Sequence, residues 1–255
     1  MPRLFISPEQ IEGENARITG ADHLHLARVL RARVGQPIVL LDGLGAAFRA
    51  TLTSIDKRES MARIDEPLAP PGEPPVFITV GQALGKSDKF EQVIQHGTEA
   101  GASAFSPVKA ERCVVEIPEN RVLERAARWR QIAKGAAEQS FRARVPDVSA
   151  PEKFGDVIRA AEEARTPCLL LHTESPSIPL WEALARRDAP PDRMILLVGP
   201  EGGWSPGELK LAAGLGCELI SLGPRILRTE TAALVAISQL LYHYSRPQEF
   251  RPCVS

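Results

Sequence analysis

Five short apolar runs, at residues 76–80, 104–108, 168–172, 194–198 and 218–221, constrain this chain most. They show little in–out alternation, and segments with helical spacing separate them. Strands of that kind are apolar on both faces, so they belong in a parallel sheet covered by helices on each side. The helices expected between and after them span 86–101, 120–141, 154–165, 180–187, 206–215 and 232–244. The last is apolar nearly all round, which predicts burial against the sheet or a second subunit.

The pattern stops abruptly at 66–75, EPLAPPGEPP. Proline at that density sustains neither helix nor central strand and makes a stiff connector. It divides the chain into an N-terminal domain over 1–68, a linker over 69–75, a larger domain over 76–245 and a tail over 246–255. Before the linker, 37–43, 48–55 and 60–64 read as strands joined by Gly-containing turns, which suggests a small barrel or sandwich. A helix is expected over 22–31, with Asp22 as cap and Leu26, Val29 and Leu30 as its apolar stripe. Arg28, Arg31 and Arg33 lie on or beside its other face. They suit phosphates, and a solvated helix face explains them equally.

The sequence has 255 residues and a net charge of −1, so bulk attraction does not drive it onto nucleic acid, and RNA contact has to come from local patches. The most basic is the helix around 126–144, with Arg128, Arg130, Lys134, Arg142 and Arg144 beside Gln139 and Ser140. The four cysteines form no C-x-x-C pair, which argues against zinc or a disulfide framework and fits a reducing compartment. No signal peptide is evident and the apolar runs are too short to span a bilayer, so a cytoplasmic location is expected. Gly81 to Ser87 invites a P-loop reading, but three residues separate its glycines where four are needed.

Two loops at expected strand ends carry the chemistry. Val198-Gly199-Pro200-Glu201-Gly202-Gly203-Trp204 lets backbone approach a ligand closely. Leu222-Gly223-Pro224-Arg225-Ile226-Leu227-Arg228-Thr229-Glu230-Thr231-Ala232 combines a Gly-Pro bend, two arginines, a carboxylate and two hydroxyls, and Thr229 or Thr231 suits the cap of the helix that follows. With Leu171-His172-Thr173-Glu174 they form three walls of one pocket, placed where open α/β sheets bind ligands. No Gly-x-Gly-x-x-Gly is present, which disfavours a dinucleotide site.

These two loops, with Arg28-Val29-Leu30-Arg31, Lys86-Ser87-Asp88-Lys89 and Glu138-Gln139-Ser140 plus Arg142, resemble the 16S ribosomal RNA uracil-N3 methyltransferases of the SPOUT class. The similarity runs to about Tyr244, and Ser87 stands where glycine is more usual. The resemblance implies an α/β chain: an N-terminal PUA-like β-barrel and a C-terminal SPOUT parallel-sheet domain with a deep trefoil knot. It further implies a homodimer and S-adenosylmethionine as cofactor, held by Leu171, His172, Gly199, Pro200, Glu201, Gly202, Leu222, Gly223, Ile226, Leu227, Thr231 and Ala232. The expected substrate is a uridine N3 in 16S rRNA of the 30S subunit, with no metal and no membrane. Glu230 is expected as base or base-positioner, Arg228 as anion stabiliser with Arg225 as its substitute, and Glu201 as rival base. Arg28, Arg31, Lys86, Lys89, Arg128, Arg142 and Arg144 are the expected RNA contacts. Another SPOUT activity, on a tRNA base or a ribose 2′-oxygen, and a non-catalytic RNA-binding assembly factor are the alternatives.

Overall fold

A computed structural model describes residues 1–69, 73–85, 88–115 and 117–245. They divide into two units, Met1–Glu73 with Ala137–Val145, and Pro74–Ala136 with the chain from Pro146 onward.

The first unit holds β1 (Arg3–Phe5), β2 (Ile11–Glu12), β3 (Asn15–Thr19), α1 (Gly20–Leu24), β4 (Pro37–Leu41), β5 (Ala47–Ile55) and β6 (Glu59–Leu68). They form one sheet in the order β1-β4-β5-β6-β3-β2, curled around a core that includes Leu4, Ile18, Leu26, Ile38, Leu40 and Leu52. Strict alternation in β3, with Ala16 and Ile18 inward and Asn15 and Arg17 outward, is the sign of a sheet wet on one face. Asp42 closes the β4–β5 turn, its Oδ1 accepting from the amides of Leu44, Gly45 and Ala46 at 2.8–2.9 Å.

The helix expected over 22–31 is different in kind. After α1 the chain continues as a π-type turn, His25–Val29, closed by the Leu30 amide on the His25 carbonyl. Bonding five residues back breaks the i, i+3, i+4 spacing on which a single stripe depends. Only Leu26 is buried, while Val29 and Leu30 are exposed.

The segment Ala137–Val145 was expected to face RNA, and instead it completes this first unit. Ala137, Phe141 and Val145 pack with Phe5, Val39 and Leu41. The Phe5 amide donates to Glu138 Oε1 at 3.2 Å, and Arg3 stacks over the Phe141 ring at 4.0 Å while donating to the Gln139 carbonyl. Arg142 is buried and ion-paired to Glu73, whose other oxygen accepts from the amides of Ala143 and Arg144. Arg142 is therefore turned inward, away from any phosphate: an apolar cluster and a carboxylate had a stronger claim on it than solvent.

The second unit is the parallel sheet. Its elements are β7 (Phe77–Ala83), α2 (Lys89–Ala100), β8 (Ala104–Lys109), α3 (Glu119–Ser140, whose last turn lies in the first unit), β9 (Asp147–Val148), β10 (Glu152–Lys153) and α4 (Phe154–Glu163). There follow β11 (Cys168–Leu171), β12 (Ile178–Pro179), α5 (Leu180–Ala185), β13 (Arg193–Val198), α6 (Pro206–Gly214), β14 (Glu218–Ser221) and α7 (Thr229–Tyr244). Every pairing is parallel, in the order β10-β8-β7-β13-β11-β14-β12, with β9 beside β8. Leu170 and Leu197 pack on Phe154, Val157 and Ile158 of α4 and Ala212 of α6. On the other face α2 packs on α7, and a Cβ on Gly97 would come within 2.8 Å of the Phe105 ring. That contact explains the glycine in the middle of α2. Cys168 and Cys217 are both buried, with sulfurs 2.9 Å apart; the neighbouring thiol, then burial, push the Cys217 thiol up, so it stays protonated. Among the described residues no helix is long and apolar enough to cross a membrane.

Candidate active site

The loops after β11, β13 and β14 enclose a cavity of about 560 Å³ at the carboxyl ends of these strands. Each wall is held by a specific bond. The loop after β13 folds back so that the Trp204 indole N–H donates to the Leu171 carbonyl at 3.0 Å, joining it to the wall after β11. A Cβ on Gly199 would lie 3.1 Å from that indole, so glycine lets the ring lie flat behind the loop. Gly203, at φ +68°, turns the chain into α6, and Ser205 and Glu208 cap that helix reciprocally.

The third wall is tied in by a relay. Gln82, buried at the end of β7, donates through Nε2 to Thr229 Oγ1 at 2.7 Å, and Thr229 Oγ1 donates to the Gly199 carbonyl at 2.7 Å. Thr229 thus fixes the Gly199 loop to the start of α7 instead of capping the helix; Arg228 occupies the cap position without a side-chain bond. The amide Oε1 of Gln82 is buried and accepts no bond. Gln82 was not foreseen, although an amide in an otherwise apolar strand is the kind of signal that marks such a role.

Charge gathers at one end. Lys89 Nζ lies 2.6 Å from Glu201 and 3.8 Å from Glu230. The Glu201 hydrogen bond, opposed by burial, holds the Lys89 ammonium above its usual range, so the lysine stays charged throughout the neutral range. Arg228 also lies close enough for its field to oppose that shift.

Of the residues expected at the cofactor, Leu171, His172, Gly199, Pro200, Glu201, Gly202, Leu222, Gly223, Ile226, Leu227 and Ala232 line the cavity, whereas Thr231 is exposed outside it. Arg225 and Arg228 line it too. Glu230 sits in the first turn of α7, 17% exposed, and reaches the cavity only through Lys89; its Oε2 accepts no hydrogen bond. Thr173, Glu174 and Trp204 line the cavity as parts of the expected walls, and Ile220 and Ser221, read only as a strand, line it as well. Ile226, 89% exposed, leaves an apolar side chain on the rim, as a site awaiting a partly apolar ligand would.

The expected RNA contacts are dispersed. Arg28, Arg31 and Arg144 are exposed on the first unit. Arg128 is exposed but bonded to Glu91 at 2.7 Å, Lys89 belongs to the cavity, and Lys86 lies outside the described residues. Among the described residues no cluster of three or more His, Cys, Asp or Glu is placed to hold a metal ion.

Residues 72–241 match a family model described as an RNA methyltransferase domain, and residues 18–64 one described as an RNA methyltransferase PUA domain. Ribosomal RNA small subunit methyltransferase E of Synechocystis sp. is 37% identical, over 93% of this chain and 76% of its own length. The Bacillus subtilis protein of the same name is 33% identical, over 95% and 96%. The crystal structure of that enzyme from Neisseria gonorrhoeae, bound to S-adenosyl methionine, superposes with a TM-score of 0.85 at 32% identity, covering 96% of this chain and 98% of that one. A methyltransferase from Legionella pneumophila in complex with the same cofactor gives 0.84 at 32% identity, over 93% and 96%. With both domain models matched and relatives aligned along nearly its whole length, the chain belongs to the RNA methyltransferase family that contains ribosomal RNA small subunit methyltransferase E.

Proposed function

We propose that this chain methylates N3 of a uridine in 16S rRNA of the small ribosomal subunit, with S-adenosylmethionine as methyl donor, in the cytoplasm and as a homodimer. The observation that carries the reading is the three-walled cavity with Lys89, Glu201 and Arg228 at one end, in a chain of this family. The cavity fits the donor: backbone at Gly199 and Gly202 can approach an adenine edge, and Leu171, Leu222, Ile226 and Leu227 supply apolar walls. When bound, the donor supplies an electrophilic methyl group. A deep trefoil knot formed by these loops is part of the same reading. Tyr242, 88% exposed on α7, supports a partner-facing surface there.

The chain's own residues have three tasks. Uracil N3 carries a proton and gains nucleophilicity when that proton leaves, so a base and a nearby cation both help. Glu230, 3.8 Å from Lys89, takes the first role, and Arg228 the second, with Arg225 beside it. Glu201, bonded to Lys89, positions the lysine. Because N3 lies on the Watson–Crick edge, the uridine must be unpaired or extruded to be reached.

Wild-type protein is expected to bind S-adenosylmethionine by calorimetric titration and to methylate 30S particles far faster than naked 16S fragments; equal rates on both would refute particle-level selectivity. The relay predicts a further result. Thr229→Val takes one of the two acceptors of the Gln82 amide and leaves the Gly199 carbonyl without its hydroxyl donor, at about 1–3 kcal/mol for the buried group, so cofactor affinity should fall about tenfold or more. Thr229→Ser keeps the hydroxyl and should bind as wild type. Equal affinity for Val and Ser variants would show that the hydroxyl does not shape the site.

A further inference from the structure

A separate hollow lies on the other side of the β7–α2 connection. Its volume is about 120 Å³, and Leu84, Phe90, Pro118 and Trp129 form its apolar walls. Phe90 and Trp129 meet edge to face, ring centroids 4.7 Å apart, which keeps the indole from moving. Trp129 is 2% exposed, and its indole N–H is buried with no hydrogen-bond partner among the described residues. Such orphaned donors are rare and call for an acceptor. A cavity of about 150 Å³ accommodates benzene, so this hollow is on the scale of one six-membered ring.

Its mouth carries charges of both signs. Arg121, Arg125 and Glu91 line it, and an adjoining open depression of about 300 Å³ adds Arg128, Asp88 and Glu124. Arg125 lies 3.9 Å from Glu91, a carboxylate that Arg128 already holds at 2.7 Å, and Arg121 lies 3.6 Å from the exposed Glu124. The exposed Arg121–Glu124 pair contributes little, so a phosphate can displace it at small cost, and Arg125 can turn to the same phosphate because Glu91 keeps Arg128.

The hollow also has a fixed relation to the donor cavity. Gly85 lines it, and a Cβ built on Gly85 falls 3.2 Å from Glu201 Oε1 and 3.5 Å from the Lys89 side chain. The backbone at Gly85 therefore stands as a thin partition between the hollow and the charged end of the cavity.

We propose that this hollow is a nucleotide subsite that seats one base of the RNA substrate, with Arg121 and Arg125 on its phosphate. The inference rests on the reading of the chain as an RNA methyltransferase. Because Gly85 separates the two spaces, the seated base is a neighbour of the methylated uridine and not the uridine itself. A ring-sized apolar hollow with a buried donor and guanidinium groups at its rim suits a base of a single strand held by its edge and its phosphate.

The test uses the full chain and 30S particles lacking the methyl group. Arg121→Gln/Arg125→Gln together should raise KM for the particle about tenfold or more, with kcat and S-adenosylmethionine affinity unchanged. Trp129→Phe removes the unpaired donor with part of the buried indole; it should lower the melting temperature by several degrees, leave S-adenosylmethionine affinity unchanged and raise KM for the particle. An unchanged KM in the folded double variant overturns the proposal. So does a parallel loss of cofactor affinity, which would assign the hollow to the donor site. If wild-type protein itself fails to methylate the particle, it is the functional reading that fails, not the subsite.

Discussion

Arg228→Ala should lower kcat on 30S particles by about 100- to 1000-fold, the usual loss when a group that stabilises developing negative charge is removed. Among the described residues Arg228 makes no ion pair, and it borders the cavity close to Lys89. Its charge is thus available to a pyrimidine losing its N3 proton, and S-adenosylmethionine affinity should change little. Glu230→Gln should lower kcat by about 100-fold or more while leaving the fold intact, as loss of a general base does. Glu201→Gln separates the two carboxylates. Glu201 already holds Lys89 at 2.6 Å, whereas Glu230 stands 3.8 Å from it, too far for a hydrogen bond. The glutamine variant at 201 should therefore lose less turnover than the one at 230. Single-turnover rates at saturating cofactor decide the order, and the reverse order would make Glu201 the base.

Arg142→Ala should destabilise the protein by about 3 kcal/mol, the scale expected when one partner of a buried ion pair is removed. Glu73 would keep its two backbone amide bonds but lose its cation in a half-buried setting. Denaturant unfolding should show the loss. The salt dependence of RNA binding should not change, because no phosphate contact is removed. Arg144→Ala, at an exposed neighbour, should do the opposite: stability nearly unchanged and a shallower salt slope. A stable Arg142→Ala variant with weakened RNA binding would return Arg142 to the RNA surface.

The contrast between these two arginines shows what a sequence discloses and what it withholds. The parallel sheet was legible because runs such as Cys168–Leu171 and Arg193–Val198 have a local pattern that only two-sided burial explains. The cavity walls were legible for a related reason: glycine and polar clusters after such runs fall at the ends of strands. Arg142 and Gln139 gave no such signal. Their partners, Glu73 and Arg3, lie far off in the sequence, and a basic helix end reads the same whether it faces water or closes a core. The π-type turn at His25–Val29 was invisible because its residues spell an ordinary amphipathic helix. Gln82 was passed over for a complementary reason: its two partners, Thr229 and the loop at Gly199, come together only in the folded sheet.

The central claim is that the cavity at Gly199, Leu222 and Arg228 delivers a methyl group to a uridine N3 in the small subunit. The most direct measurement is primer extension along 16S rRNA from unmethylated 30S particles treated with the protein and S-adenosylmethionine. The account predicts one new strong stop at a uridine, present with wild-type protein and lost with Arg228→Ala, because a methyl on N3 blocks pairing. Methyl incorporation into the particle with no stop anywhere in 16S rRNA would contradict it.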